Sequence, residues 1–262
     1  MAYLGGDQVL LVGGFGGPET WVYDLSANSW TYKAPAATPS ARGYLAMANP
    51  GGDRALLFGG EDAFGLRNNE TWVYDLSANT WTEETPAASP SARIGHAMAY
   101  LGGDQVLLFG GRTADAYDND ETWVYDLSAN TWTNRMPVAA PSARYLHAMA
   151  YLGGDEVLLF GGFDAGGYDD ETWVYDLSAN IWTNKAPAAA PTKREGAAMA
   201  YLGGDQVLLF GGSAGGDETW VYDLGANTWT NQAPAAAPSA RRGHAMASLG
   251  GDQVVLFGGY DG

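Results

Sequence analysis

The chain contains no cysteine, and that absence removes several kinds of chemistry. It leaves no disulfide, no thiolate metal ligand and no cysteine nucleophile. Positive charge is also scarce, with 13 lysines and arginines against 30 aspartates and glutamates and a net charge of −17. Such a surface repels phosphate backbones and anionic lipid headgroups. The composition therefore argues against nucleic acids and membrane surfaces as partners.

Several motifs and patterns are missing as well. No apolar run approaches the roughly 20 residues of a membrane-spanning helix, and no secretory signal is visible. No stretch keeps a helical period over a full window. A phosphate-binding loop, a nucleophile elbow and an HExxH zinc motif are all lacking. The sequence therefore offers no catalytic motif and leaves the cellular compartment open.

What the sequence does have is a repeat. The string ETWVYDLSANTWT occupies residues 121–133, and near-copies begin at Glu19, Glu70, Glu171 and Glu218. The first tryptophans of these copies are 51, 51, 50 and 47 residues apart. A period close to 50 residues is typical of propellers and too long for ankyrin or tetratricopeptide units.

Each period contains four short segments with strand character, here named A to D. In one period they are RIGHAMAY (93–100), DQVLLFGG (104–111), ETWVYDL (121–127) and TWTNRMP (131–137). The LGGD between A and B indicates a hairpin, and the LSAN between C and D suits a turn in which Asn adopts a left-handed backbone. Four antiparallel strands per repeat predict an all-β propeller of four-stranded blades.

A glycine pair ends strand B, a tyrosine stands in strand C, and a tryptophan follows after six further residues. This pattern resembles the kelch signature, and five copies in phase span nearly the whole chain. The copies are Gly13-Gly14/Tyr23/Trp30, Gly59-Gly60/Tyr74/Trp81, Gly110-Gly111/Tyr125/Trp132, Gly161-Gly162/Tyr175/Trp182 and Gly211-Gly212/Tyr222/Trp229. The resemblance implies a kelch β-propeller, most often a ring of six or seven blades.

The resemblance also raises an enzymatic alternative. The chain resembles galactose oxidase in fold only, because the copper site of that enzyme needs a cysteine–tyrosine cross-link and this chain has no cysteine. Kelch enzymes that resemble sialate epimerases stay open as a second alternative, although no residue here matches an active site. We predict no enzyme activity, no cofactor and no metal site.

The repeat count predicts one domain over residues 1–262, with repeats at about 1–40, 41–91, 92–142, 143–192 and 193–239 and a half repeat at 240–262. Six A–B pairs stand against five C–D pairs, so a six-position ring is favoured and a five-bladed ring is the alternative. The chain resembles a piece of a longer array or an engineered sequence. In the six-position ring, strand B at 252–258 is an open edge, which predicts self-association through the half-blade.

Differences among the repeats fall in two main clusters. The B–C loops vary in length and sequence: FGGP (15–18), EDAFGLRNN (61–69), RTADAYDND (112–120), FDAGGYDD (163–170) and SAGGD (213–217). The three residues after the arginine that opens strand A also vary. Both clusters are expected at one end of the antiparallel blades, and variable loops on a rigid scaffold are where binding usually occurs.

We therefore predict a non-enzymatic binding or assembly scaffold that holds a protein segment or a glycan on this end of the disc. Aromatic side chains would anchor the ligand and arginines would pair with its acidic groups. The candidate binding residues are Phe15, Tyr44, Phe64, Arg67, Ile94, Arg112, Tyr117, Tyr145, Phe163, Tyr168, Glu195 and Arg242. The alternatives are a structural array that mainly self-associates and a carbohydrate-active enzyme.

Other polar columns favour structural roles. Acidic loops such as 115–121 and 164–171 offer carboxylates to a hard cation, but their spacing fits no calcium motif. The glutamates that open strand C and the arginines that open strand A are predicted to form ion pairs between elements. His96, His147 and His244 share a column with Leu45 and Ala197, which favours packing over metal binding.

Overall fold

A computed structural model describes residues 1–14, 16–115, 118–214 and 216–261, and its regular elements there are all β-strands. No helix in this part of the chain is long and apolar enough to cross a membrane. The strands are β1 (Ala2–Tyr3), β2 (Gln8–Val12), β3 (Thr20–Asp24), β4 (Ser29–Tyr32), β5 (Ala46–Ala48), β6 (Arg54–Phe58), β7 (Thr71–Asp75), β8 (Thr80–Glu84), β9 (Arg93–Ile94), β10 (Ala97–Gly102), β11 (Gln105–Phe109), β12 (Arg112–Thr113), β13 (Thr122–Asp126), β14 (Thr131–Asn134), β15 (Arg144–Tyr145), β16 (Ala148–Gly153), β17 (Glu156–Phe160), β18 (Phe163–Asp164), β19 (Gly167–Tyr168), β20 (Thr172–Asp176), β21 (Ile181–Asn184), β22 (Ala198–Gly203), β23 (Gln206–Phe210), β24 (Thr219–Asp223), β25 (Thr228–Asn231), β26 (Ala245–Ser248) and β27 (Val254–Phe257).

Within the described residues, five four-stranded antiparallel sheets follow one another along the chain. Blade 1 is β1–β4, blade 2 is β5–β8, blade 3 is β10, β11, β13 and β14, blade 4 is β16, β17, β20 and β21, and blade 5 is β22–β25. The strands of each blade pair in chain order, so strand A is innermost and strand D outermost. The sixth position holds the two-stranded hairpin β26–β27. The predicted kelch blades are confirmed.

Strand B is buried on both faces because neighbouring blades cover it. Val106, Leu107, Leu108 and Phe109 are all completely buried. One cluster joins Leu56, Phe58 and Val73 of blade 2 to residues of blade 3, among them Leu108 and Trp132. A continuous apolar run with no alternation is what a two-sided core position requires. The blades are therefore held together mainly by apolar contact between adjacent sheets.

The innermost strands contact one another in chain order, and β1 contacts both β5 and β26. Val9 of blade 1 packs with Ala247 and Leu249 of the last hairpin. The rings of Trp30 and Phe257 meet edge to face at 5.2 Å, as Trp132 and Phe58 do between blades 3 and 2. These contacts favour the six-position arrangement. In the five-bladed alternative, the last hairpin would lie outside the ring.

One predicted strand is wrong in detail. Strand A of blade 3, predicted over 93–100, is two strands, β9 and β10, because Gly95 has a φ of +62° and turns the chain between them.

The C–D turns match the prediction. Asn79 and Asn130 have φ values of 52° and 49°, in the left-handed region that Asn tolerates.

Candidate functional site

A buried arginine opens each of blades 2 to 5. Arg93 donates from Nε to the Ser91 carbonyl at 3.0 Å and from Nη1 to the Gly110 carbonyl at 2.9 Å. Its Nη2 donates to the Ser91 hydroxyl at 2.9 Å and to Oε2 of Glu121 at 2.6 Å. The other three ion pairs are Arg42–Glu70, Arg144–Glu171 and Arg194–Glu218. The predicted pairing is confirmed for these four; within the described residues, Glu19 and Arg241 have no such partner.

The carboxylate of this arrangement also accepts from the first tryptophan of its own repeat. Trp123 Nε1 donates to Oε2 of Glu121 at 3.0 Å. Burial alone would raise the pKa of Glu121, but the hydrogen bonds from Arg93 and Trp123 outweigh it and lower the pKa. In blades 2 to 5 the first tryptophan therefore orients a carboxylate, and its side chain is half-buried. Trp21, in the same column of blade 1, is exposed. In the second column, by contrast, the side chains of Trp81, Trp132, Trp182 and Trp229 are buried between blades.

The two variable clusters lie side by side, as predicted. The residues after the opening arginine pair with the residues after the glycine pair: Gly43 with Glu61, Ile94 with Arg112, and Tyr145 with Phe163. Ser213 N donates to the Glu195 carbonyl at 2.9 Å, and Arg242 pairs with Tyr260. We define the variable face as residues 43–45, 61–69, 94–96, 112–115, 118–120, 145–147, 163–170, 195–197, 213–214, 216–217 and 242–244.

Backbone hydrogen bonds link neighbouring blades within the variable face. Gly95 N donates to the Tyr44 carbonyl at 3.1 Å, and Leu146 N donates to the Gly95 carbonyl at 2.7 Å. In the same way Gly196 N donates to the Leu146 carbonyl and Gly243 N donates to the Gly196 carbonyl, each at 2.8 Å. All five residues have φ between 54° and 66°. The variable residues beside them are thus attached to a rigid frame of backbone.

An aromatic cluster stands out in this face. Tyr145 and Phe163 have ring centroids 5.6 Å apart, and Phe163 and Tyr168 meet edge to face at 5.5 Å. The guanidinium carbon of Arg112 lies 5.3 Å from the centre of the Tyr145 ring. Burial raises the pKa of Tyr145, with Glu195 adding to the shift. Tyr168 is 43% exposed, so the cluster presents one aromatic ring to solvent. The half-buried rings of Phe163 and Tyr145 support it.

The other predicted binding residues are spread around the same face. Tyr44 and Phe64 are exposed, and the half-buried Ile94 lies beside Arg112. Nη1 of Arg242 lies 4.0 Å from Glu195, whose pKa is raised by burial. Nε of Arg67 lies 4.0 Å from Glu61. Phe15 and Tyr117 lie outside the described residues.

The three histidines are buried between blades. His96 Nε2 lies 3.2 Å from the Phe58 carbonyl, and the His96 ring meets that of Phe58 edge to face at 5.5 Å. His147 and His244 make the same ring contact with Phe109 and Phe210. Each ring thus fills the gap between two blades, which agrees with the packing role favoured from the sequence. Among the described residues, no group of three or more histidine, aspartate or glutamate side chains could hold a metal ion.

The opposite face holds a feature that sequence comparison of the repeats missed. A cavity of about 1020 Å³ is lined by the first strands of all six positions and by the A–B hairpins. Methionines at one column, such as Met98 and Met149, and tyrosines two residues later line its wall. Tyr151 lies between Tyr100 and Tyr201, with ring centroids at 5.1 Å and 5.2 Å. The sequence feature that marks this cavity is the repeated Met-Ala-Tyr triplet of strand A. Because the triplet is nearly uniform among the repeats, it is interpreted from the sequence alone as purely structural.

Comparison with known proteins agrees with this geometry. Residues 52–259, well over half of the chain, match the family model described as the KLHDC2/KLHL20/DRC7 Kelch-repeats domain. The chain belongs to the kelch-repeat family. Domains of this family are in general non-enzymatic protein-binding scaffolds.

Curated relatives share part of the chain. A putative adagio-like protein 2 of Oryza sativa subsp. japonica is 34% identical over 131 residues, 48% of this chain and 20% of that protein. Tip elongation aberrant protein 1 of Schizosaccharomyces pombe is 30% identical over 181 residues, 63% of this chain and 15% of that protein. Kelch domain-containing protein 2 of Bos taurus is 29% identical over 154 residues, 55% and 37% of the two chains. The chain therefore spans well under half the length of these relatives.

Proposed function

We propose that this kelch domain is a non-enzymatic scaffold that binds a segment of another protein on its variable face. The observation that carries the proposal is the aromatic cluster of Tyr145, Phe163 and Tyr168, supported from below by Arg112. Rigid, partly exposed aromatic side chains supply contact area at a low cost in conformational entropy. The surrounding frame of backbone hydrogen bonds keeps the cluster in place before a ligand arrives.

The charge of the variable face supports a basic ligand. Its sequence holds ten carboxylates against three arginines: Glu61, Asp62, Asp115, Asp118, Asp120, Asp164, Asp169, Asp170, Glu195 and Asp217 against Arg67, Arg112 and Arg242. Each arginine has a carboxylate of the same face within 4.0 Å. We therefore assign the arginines to support of the surface. Asp169 lies 3.2 Å from Arg144 and Asp170 lies 4.0 Å from Lys193, so these two also have cationic partners. The carboxylates assigned to the ligand are Asp62, Asp115, Asp120, Asp164 and Asp217. A peptide with lysine or arginine residues around an aromatic or aliphatic anchor fits this arrangement best.

A peptide library selection tests the proposal. Peptides displayed on phage are selected against the folded protein, and the affinities of the selected peptides are measured for the parent and for Tyr168→Ser. We expect enrichment of basic peptides with an aromatic or aliphatic anchor, and a loss of about tenfold or more in affinity on Tyr168→Ser, as for an interface anchor.

Tyr32→Ser is the matched control, because Tyr32 is a comparably exposed tyrosine on the outermost strand of blade 1. It should leave the affinity unchanged. Peptides that lose affinity with Tyr32→Ser and not with Tyr168→Ser would disprove the location. A glycan array run in parallel decides the ligand class: saturable glycan binding that Tyr168→Ser removes, without any selected peptide, would replace the protein segment by a carbohydrate.

A further inference from the structure

The uniform face, opposite the variable face, is formed by the A–B and C–D turns, and its cavity has a flexible apolar lining. Methionines of strand A line it in each position from blade 2 to the last hairpin: Met47, Met98, Met149, Met199 and Met246. The unbranched thioether of methionine is polarisable and adapts to ligands of different shape. At about 1020 Å³, the cavity is at the upper end of the size range of small-molecule sites.

Tyrosines two residues after these methionines make one wall of the cavity aromatic. Tyr100, Tyr151 and Tyr201 belong to three consecutive blades, and the Tyr151 ring contacts the other two. The Tyr151 hydroxyl also donates to a glycine carbonyl of its own A–B turn at 3.1 Å. Asn49 and Ser248 occupy the same column in blade 2 and in the last hairpin. The cavity thus has a fixed aromatic wall on one side and shorter polar side chains elsewhere.

The turns around the cavity carry mainly negative charge. An aspartate follows the glycine pair in each A–B turn: Asp7, Asp53, Asp104, Asp155, Asp205 and Asp252. In the five full blades the C–D turn is bound to the A–B turn by a backbone hydrogen bond and begins with a further aspartate: Asp24, Asp75, Asp126, Asp176 and Asp223. Arg54 is the one cationic residue in the sequence of these turns, and its Nε lies 3.6 Å from Asp75. A positive charge at the cavity is therefore surrounded by carboxylates.

This negative charge acts on groups at the cavity wall and beside it. Burial raises the pKa of Tyr151, and the charge of Asp155 adds to the shift. Burial also raises the pKa of Glu156, which begins strand β17; the charge of Asp176 adds to that shift, and Lys185 offsets part of it. Both groups are harder to deprotonate because carboxylates lie close by. A bound cation would relieve this repulsion.

We propose that the cavity on the uniform face binds a small organic ammonium ion with an aromatic or aliphatic body. The body lies among the methionines and against the tyrosine wall, and the ammonium group lies towards the aspartates of the A–B turns. A cation beside tyrosine rings is attracted to them, and the low dielectric of a cavity strengthens its attraction to carboxylates. A neutral molecule of the same shape gains apolar contact only, and an anion is repelled. The site does not depend on the function proposed above, which concerns the other face.

Three probes of similar shape and different charge test the proposal: phenethylammonium, phenethyl alcohol and phenylacetate. Each is titrated into the intact protein, whose methionines carry ¹³C in the methyl group. We expect saturable shifts of the signals of the cavity methionines with the amine, which should bind about tenfold or more tightly than the alcohol. Phenylacetate should not bind. Added salt should weaken the binding of the amine and not that of the alcohol.

Met136 is the control within the same spectrum, because it is 79% exposed and does not line the cavity. Tyr151→Ser is the matched variant, since serine occupies this column at Ser248. It should weaken the binding of the amine by about fivefold and that of the alcohol less, because a ring beside the cation is lost. Tyr32→Ser, on the outermost strand of blade 1, should leave both affinities unchanged. Circular dichroism checks that both variants keep the fold.

The proposal is overturned if the amine does not bind, if the alcohol binds as tightly as the amine, or if the Met136 signal shifts together with those of the cavity methionines. Nα-acetyl-lysinamide is titrated as well, because a lysine side chain of another protein shares the ammonium chemistry. Tighter binding of this lysine derivative than of phenethylammonium would also overturn the assignment to a small molecule.

Discussion

At the scale of single residues, the repeated columns allow polar contacts to be predicted when both partners recur. The glutamate and arginine columns coincide in blades 2 to 5, and their pairing follows from that register. Backbone conformation is harder to foresee where the residue type varies. Tyr44 and Leu146 take the left-handed conformation that Gly95 takes, with φ of 54° and 55°. Neither residue type predicts this; the series of backbone hydrogen bonds between blades imposes it.

The buried histidines predict a loss of stability in mild acid. Burial lowers the pKa of His147 from 6.5 to about 3, with the nearby charges of Arg144 and His96 adding to the effect. The unfolded chain therefore binds a proton below pH 6.5 that the folded chain refuses, so the free energy of unfolding falls as the pH drops from 6.5 towards 3. Urea denaturation at several pH values measures the slope.

His147→Leu should make that slope shallower, because Leu45 occupies the same column in blade 2 and does not titrate. At pH 7 both forms are neutral at this position, so any difference there reports packing alone. The free energy of unfolding of the variant could instead fall with acid as steeply as that of the parent. His147 would then take up a proton in the folded protein as readily as in the unfolded chain.

At the scale of elements, the four main strands of a blade were predictable because each has an apolar or aromatic pattern between turn residues. The short strands of the variable face were not. Strands β12 and β18 are two residues long and carry no alternation that a sequence pattern could reveal. They form because the opening of strand A and the loop after strand B are held together by the glycine pair and the arginine. The geometry of these short strands therefore follows from the fold of the blade that holds both segments, and not from their own sequence.

The glycine pair that ends strand B is predicted to tolerate no side chain. Gly110 has a φ of +67°, and a Cβ there would lie 2.6 Å from the Arg144 carbonyl oxygen. Gly103 in the A–B hairpin has a φ of +49°, and the space that a methyl group would occupy there is open. Gly103→Ala should cost about 1–2 kcal/mol for the left-handed backbone alone. Gly110→Ala should cost about 2–5 kcal/mol, because the backbone of the next blade must also move.

Urea denaturation of the two variants compares these free energies of unfolding directly, and Gly103→Ala is the control for backbone conformation. Equal losses of unfolding free energy would mean that the Arg144 carbonyl moves aside at no cost. Glycine would then be required at position 110 only for its backbone conformation.

At the scale of the whole molecule, the number of hairpins can be read from the sequence. The position of the last hairpin follows only from its contacts in the structure. Six A–B pairs are readable from the sequence, but which of them touch is decided by packing between sheets. Strand β26 contacts both β22 and β1, so the first and last positions of the chain are neighbours. The location of the cavity on the uniform face follows from the same arrangement. It is lined by residues from every repeat and belongs to no single one.

Deletion of residues 241–262 tests this arrangement. The deletion removes the packing of Val9 against Ala247 and Leu249, the contact of Phe257 with Trp30, and the cover over the first strand of blade 5. We expect a lower melting temperature and a larger radius of gyration by small-angle scattering, since two apolar blade faces become exposed together. Phe257→Ala removes one aromatic contact and keeps the hairpin, so it should lower the melting temperature less and leave the radius unchanged. A truncated chain that melts with the parent at an unchanged radius would instead mean that five blades are sufficient, and that the sixth hairpin lies beside a ring that closes without it.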